Sequence, residues 1–214
     1  MFEHHLTHWE EDVLKEIGNI GAAHAATSLS RLLGERIDME VPSARLLDFS
    51  EIAAEVGEDH LYVATFLEFG GDVKGSFVWL IEPQSAHQLL QALFQDQAHL
   101  KKSASDDDHF SDLELSALQE IGNILAGSYL SALADLTGLK LYPHVPGLVV
   151  DMGMAVITYG LLEAGHYGEQ AVVIDAHLTS RDAKYGGRFF LLPDPHSFQV
   201  LYHALGVYAN GRDA

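Results

Sequence analysis

Two short runs of this 214-residue sequence hold the side chains best suited to chemistry. Glu16 and Asn19 lie within Leu14-Lys15-Glu16-Ile17-Gly18-Asn19-Ile20, and Glu120 and Asn123 lie within Leu118-Gln119-Glu120-Ile121-Gly122-Asn123-Ile124, 104 residues later. On a helix turning about 100° per residue, Asp12, Glu16, Asn19 and Ala23 share one narrow stripe, as do Ser116, Glu120, Asn123 and Gly127. Val13, Ile17 and Ile20, like Ala117, Ile121 and Ile124, fall about a quarter-turn away, so the polar stripe runs beside the buried face and stays accessible. A carboxamide donates and accepts hydrogen bonds at once. That suits it to holding a water in line for attack, a task in which geometry and electrostatics do most of the work. The Glu can pair with a cation on a partner. The stripe offers no Cys, Lys or adjacent His for covalent catalysis, and neither Glu nor Asn makes a metal site or a phosphate cradle, so a phosphorylated substrate must bring its own.

On one helix, such a pair also reads as ordinary solvated surface. The second copy changes the weighing, because Asn is a mediocre and Gly a poor mid-helix residue, Gly by about 1 kcal/mol against Ala. Gly18-Asn19 and Gly122-Asn123 nevertheless occupy equivalent places, which points to a retained surface; duplication alone is the other explanation. The 13 His, with His4, His5 and His8 near the start, raise a metal enzyme as a further reading. Without a carboxylate or Cys at ligand spacing they read as incidental. His24 falls on the apolar side of its helix and reads as a core or boundary histidine. Gly70-Gly71-Asp72 and Gly186-Gly187 read as hairpin turns. No phosphate-loop or nucleophile-elbow pattern occurs.

The elements that must position these residues follow from the repeat. The 104-residue offset carries Val41-Pro42 onto Val145-Pro146, and Thr7 and Glu10 onto Ser111 and Glu114, a capping-box spacing in both copies. Phe110 and Leu115 add a hydrophobic staple. Later the offset becomes 112, as Gly75-Ser76-Phe77 passes to Gly187-Arg188-Phe189, which places an insertion of about eight residues around Ala164 to Gln170. First helices are expected over Trp9–Leu33 and Asp112–Leu136. Strands follow near Ala44–Phe49, Leu61–Glu68 and Lys74–Ile81, then near Leu148–Ala155, Ala171–Ala176 and Gly187–Leu192. Closing helices start at Pro83 and Pro195, the latter capped by Asp194. Pro42 and Pro146 are expected to lead the chain into the first strand of each half.

The expected fold is therefore α+β, with a pseudo-twofold internal duplication: two α-β-β-β-α halves share one mainly antiparallel sheet, and the long motif helices pack on it. A single domain is expected over 1–214, with repeat one at 7–97, repeat two at 109–208 and a polar linker at 98–108. Composition narrows the function classes. The 31 Asp and Glu against 12 Lys and Arg give a net charge of −19, too few basic groups for a nucleic-acid stripe or an anionic membrane surface. No Cys means no disulfide and no thiolate zinc site. The N-terminal residues lack signal-peptide features, and the uncharged stretches Ile17–Ser30 and Ile121–Ala134 fall short of the roughly 18 apolar residues of a membrane span. A cytoplasmic location is expected.

The doubled motif resembles the CheC family of bacterial chemotaxis phosphatases, which also includes CheX and the phosphatase part of FliY. The family pattern of Asp or Ser, three residues, Glu, two residues, Asn, 22 residues and Pro is met by Asp12, Glu16, Asn19 and Pro42, and again by Ser116, Glu120, Asn123 and Pro146. The likeness extends over nearly the whole chain. It implies dephosphorylation of the phosphorylated response regulator CheY. Glu16 and Glu120 would then engage the receiver's lysine, Asn19 and Asn123 would orient the attacking water, and Asp12 and Ser116 would support the contact face. The resemblance also implies that the Mg ion belongs to the receiver and that the protein needs no cofactor of its own. The deamidase CheD is an implied second partner, and a chain carrying both motifs is expected to be a monomer. A non-catalytic adaptor, binding the phospho-receiver and CheD without turnover, is the alternative. Because CheY-type receivers are acidic too, local complementarity rather than long-range attraction must carry recognition.

Overall fold

The computed structural model describes residues 8–57, 59–94, 109–163, 170–180 and 184–205. The elements run α1 (His8–Leu33), β1 (Asp38–Asp48), α2 (Phe49–Val56), β2 (Leu61–Gly71), β3 (Gly75–Ile81), α3 (Pro83–Leu93), α4 (Asp112–Thr137), β4 (Leu141–Pro143), β5 (Gly147–Met152), α5 (Gly153–Glu163), β6 (Gln170–Thr179), β7 (Lys184–Pro193) and α6 (Pro195–Ala204). They form an α+β structure around one seven-stranded sheet of order β1-β6-β7-β3-β2-β4, with β5 also on β2. Every pairing among the described strands is antiparallel. Leaving the three-residue β4 aside, exchanging β1, β2 and β3 for β5, β6 and β7 turns the order β1-β6-β7-β3-β2-β5 into its own reverse.

Central strands are buried on both faces, which is why Phe77–Ile81 of β3 and Phe189–Leu192 of β7 are continuous apolar runs without alternation. Thr65, Trp79, Phe189, Ile174 and Ala44 form a cross-strand row beneath α1 and α4. The adjacent row, Ala64, Leu80, Arg188, Asp175 and Ser43, faces the other way, towards α2 and α5. Two apolar cores result. The larger joins α1, α4, α3 and α6 to the sheet through Leu14, Ile17, Leu29, Leu118, Ile121, Tyr129, Leu89 and Leu201. The smaller sits under α2 and α5, around Ile52, Val56, Val156 and Phe190.

Several expected local signals are present. Ser111 caps α4, with its hydroxyl and backbone N–H both donating to the Glu114 carboxylate, at 2.7 and 2.8 Å. Asp194 caps α6 by accepting from the Ser197 N–H at 2.7 Å, with Pro195 at the first turn. Gly70 and Gly71, expected in a hairpin turn, are instead the last residues of β2, paired with Tyr142 and Leu141 of β4, and only Asp72 of that run lies in the connection to β3. Thr7, the 98–108 linker and nearly all of the Ala164–Gln170 insertion lie outside the described residues.

Other expectations are corrected. Each half carries an unexpected helix between strands, α2 between β1 and β2 and α5 between β5 and β6. Asp48 starts α2, its N–H donating to Glu51 at 2.9 Å, and the expected strand at Leu148–Ala155 stops at Met152, where α5 begins. Gly186-Gly187 is no turn but lies inside β7, where Gly187 pairs with Ala176 and leaves room for Trp79, whose Nε1 would sit 2.6 Å from an added Cβ. A contact the sequence reading did not anticipate adds to these, without bearing on the Phe110–Leu115 staple: Phe110 stacks on His87 of α3, with ring centroids 4.3 Å apart. His24 is exposed rather than in the core or at its boundary, because the buried positions of that turn are Ala22 and Ala25.

A polar lattice fastens α2 to the sheet. Arg45 bridges Glu55 and Asp175, at 2.6 and 3.0 Å, and Arg188 bridges the same two acids, at 3.4 and 2.8 Å. Burial alone would push the Asp175 carboxyl up, but the Ser43 hydroxyl and the two guanidinium groups outweigh it and hold the group below the usual carboxylate range. A carboxylate lowered in the folded state contributes stability above its unfolded pKa, which is lost as pH falls through the folded value. Asp175→Asn is therefore expected to cost about 1–2 kcal/mol near pH 7. The deficit should shrink below about pH 4 as the wild-type group protonates. Denaturant titrations of both proteins between pH 7 and 3 check this; a pH-independent difference contradicts it.

Candidate functional site

Both motif helices have 26 residues, and each buries one stripe. On α1 that stripe includes Leu14, Ile17, Gly18, Gly21, Ala22 and Ala25. On α4 it includes Leu118, Ile121, Gly122, Leu125 and Ala126. Beside it stand Asp12 and Glu16, exposed, with Asn19 half-buried one turn on, and likewise Ser116 and Glu120, exposed, with Asn123 half-buried. All six sequence-derived positions thus lie at the surface edge of the two helices.

The glycines preceding the asparagines have a packing role. A Cβ on Gly18 would lie 3.0 Å from Val41 Cγ1, and one on Gly122 would lie 2.5–2.7 Å from the three side-chain heavy atoms of Thr65. They bring the helices down onto β1 and β2, so their recurrence reflects close approach as well as a retained surface.

The spacing from Asn to Pro has a geometric basis in the first copy. β1 carries a register shift between Glu40 and Ser43, and the ladder skips Val41 and Pro42. Proline, having no N–H to contribute, fits such a bulge. Pro42 therefore lies inside β1 rather than leading into it. The Val41 N–H, out of the ladder, donates to Asn19 Oδ1 at 3.3 Å across 22 residues. That bond fixes the carboxamide plane.

The second copy is built differently. Pro146 lies directly before β5, as expected, and its carbonyl accepts from Gln119 Nε2 at 2.6 Å. Asn123 Nδ2 makes a long 3.5 Å contact with Glu120 Oε2, while Ser116 donates back to the Asp112 carbonyl at 2.8 Å. Val145 is 88% exposed, whereas its counterpart Val41 is 2% exposed. Sequence reasoning passed over Gln119 and Val145. The signal was the single departure in the repeated block, where Lys15 stands opposite Gln119.

The Glu and Asn side chains stand on an open helix surface. A cleft of about 680 Å³, lined in part by Pro42, Ser43, Glu55, Tyr62, Asp175 and Arg188, lies on the α2 side of the sheet, and no Glu or Asn of either motif lines it. An open surface suits a macromolecular substrate better than a small molecule, which is held in a concavity. Among the described residues no three His, Asp or Glu side chains gather to hold a metal ion, and no helix is long and apolar enough to cross a membrane. His4 and His5 lie outside the described residues.

Comparisons with known proteins bear on the same segments. The model of the CheC-like family matches residues 10–45 and 113–150, the two motif copies. The CheY-P phosphatase CheC of Bacillus subtilis is 44% identical over 199 residues, covering 92% of this chain and 93% of that protein. The flagellar motor switch phosphatase FliY of the same organism is 29% identical over 136 residues, covering 64% of this chain and 34% of FliY. Among solved structures, Thermotoga maritima FliY superposes with a TM-score of 0.75 at 19% identity, covering 94% of this chain and 98% of that one, which shows a shared fold.

Proposed function

The chain belongs to the CheC-like family, and on that footing we propose that it is a chemotaxis phosphatase that hydrolyses the aspartyl phosphate of a CheY-type response regulator. The observation that carries this reading is an exposed Glu one helical turn before a half-buried Asn, presented twice on an open face. Each Glu, Glu16 or Glu120, pairs with a lysine ammonium of the receiver and sets its orientation. Each Asn, Asn19 or Asn123, holds a water by its carboxamide in line with phosphorus. The water oxygen bonds to phosphorus as the bond to the aspartyl oxygen breaks, releasing phosphate and a free aspartate. The Mg ion that offsets phosphoryl charge is part of the receiver, so this chain supplies no cofactor. Asp12 and Ser116 extend the contact face. The protein is read as one monomeric cytoplasmic domain made of two repeats, with the deamidase CheD as a second partner.

The test is decay of phosphorylated receiver in molar excess over the protein. Several turnovers per protein molecule support a phosphatase, whereas protection or one-to-one binding without turnover identifies an adaptor. Glu16→Gln combined with Glu120→Gln is expected to raise KM about tenfold, equivalent to about 1.4 kcal/mol of lost pairing, with kcat changed less. A larger loss in kcat than in KM contradicts the assigned role.

A further inference from the structure

We propose that Gln119 is a positioning residue for the second Glu-Asn site, doing through a separate bond what Asn19 does for itself in the first. The proposal rests on the phosphatase reading above. In the first copy the residue before proline is buried, and its N–H is received by Asn19 Oδ1, so the water-positioning side chain also ties the β1 bulge to α1. One lone pair of its carbonyl oxygen is spent on structure. In the second copy the tie is moved one helical turn towards the N-terminus of α4. Gln119 Nε2 donates to the Pro146 carbonyl at 2.6 Å, pinning the Val145-Pro146 segment against the helix about 6 Å from the Asn123 position. Among the described residues Asn123 makes only the long contact of its Nδ2 with Glu120, leaving both Oδ1 lone pairs for water.

The division of labour is written in the residue types. Lys15, at the equivalent position of α1, is exposed, and there the carboxamide does the fastening. Gln119 is half-buried and carries a donor that reaches the backbone. Without it, the exposed Val145 and the half-buried Pro146 lose their side-chain tie to α4, one turn before Asn123. A displacement of about 1 Å near the reacting atoms is enough to lower a rate severalfold or more. The first site has no such dependence, because its fastening bond comes from Asn19.

The experiment separates the sites by background. Asn19→Ala leaves the second site working and Asn123→Ala leaves the first. Gln119→Met, similar in length but without a donor, and Gln119→Lys, with a donor restored, are introduced into each. Steady-state hydrolysis of phosphorylated receiver is then measured. In the Asn19→Ala background Gln119→Met is expected to lower kcat about fivefold or more with KM within about twofold, and Gln119→Lys to recover at least half of the rate. In the Asn123→Ala background the first-site rate stays where it was. An unchanged kcat for Gln119→Met in the Asn19→Ala background overturns the proposal, and so does an equal fall in both backgrounds, which marks a purely structural role. If both backgrounds lack turnover before position 119 is altered and the wild type also lacks it, the phosphatase reading fails first and takes this proposal with it.

Discussion

Replacing Asn19 and Asn123 together by alanine is expected to lower kcat for phospho-receiver hydrolysis by about 10²-fold or more, until decay proceeds at the receiver's own rate. Affinity for a receiver carrying a stable acyl-phosphate mimic should stay within about threefold. The split follows from position: the carboxamides are half-buried, one turn behind the exposed Glu16 and Glu120, so they contribute little contact area and much orientation. The helices are expected to tolerate the change, since alanine is a better helix former than asparagine. The Val41 N–H loses its acceptor at Asn19, and a small loss of thermal stability should accompany that substitution alone. Equal losses of affinity and rate in the double variant would sink the water-positioning assignment. Rapid turnover by the double variant would remove the motif from the chemistry altogether.

Gly122→Ala is expected to destabilise the protein by about 2 kcal/mol, although the same change in an open helix position stabilises by up to about 1 kcal/mol. An added Cβ would meet Thr65 Oγ1, Cβ and Cγ2 at 2.5, 2.6 and 2.7 Å, so no rotamer of that buried threonine makes room. Truncating the neighbour does not rescue the variant either, because Thr65→Ala keeps the offending Cβ. To accommodate the methyl group, α4 must lift from β2, which carries Glu120 and Asn123 out of line with their surroundings. Gly127→Ala provides the control on the same helix: nothing lies within 4 Å of its added Cβ, and it should gain stability. Thermal unfolding of the two variants gives the comparison, with a drop of about 4–8 °C for position 122 and a small rise for position 127. A Gly122→Ala protein as stable as wild type would show that the contact relaxes cheaply.

The fold and the candidate site were legible to different depths. Caps and periodicity gave α1 and α4 nearly to the residue and the starts of α3 and α6, because Ser111 with Glu114 and Asp194 with Pro195 act through local bonds that a sequence displays. The placement of the candidate residues on one helix face was legible for a related reason: a helix converts spacing directly into a shared face. The helices α2 and α5 were not. Met154–Leu162 is a short apolar run in which strand and helix look alike, and the Asp48–Glu51 pair starting α2 directly follows residues that also read as strand. Gly187 was misplaced because its environment is set by Trp79 on the neighbouring β3, and His24 because the buried positions of its turn are Ala22 and Ala25. The bulge at Pro42 and the tie from Gln119 to Pro146 are tertiary facts of the same kind.

The strand order also sets a timetable for synthesis. β1 pairs along its length with β6, and Ser43 meets Asp175 across 132 residues of chain. At roughly 5–20 residues per second, β1 leaves the ribosome on the order of ten seconds before its partner exists, and β3 waits similarly for β7. During that interval the nascent first half, which already contains the complete Glu16-Asn19 motif, carries unpaired ladder groups and the apolar run of β3, the features that invite premature association between chains. Long-range pairing of this kind also slows closure of the sheet. The first motif face is therefore made early and matured late, and a nascent chain stalled before β6 presents the motif on an unfinished scaffold.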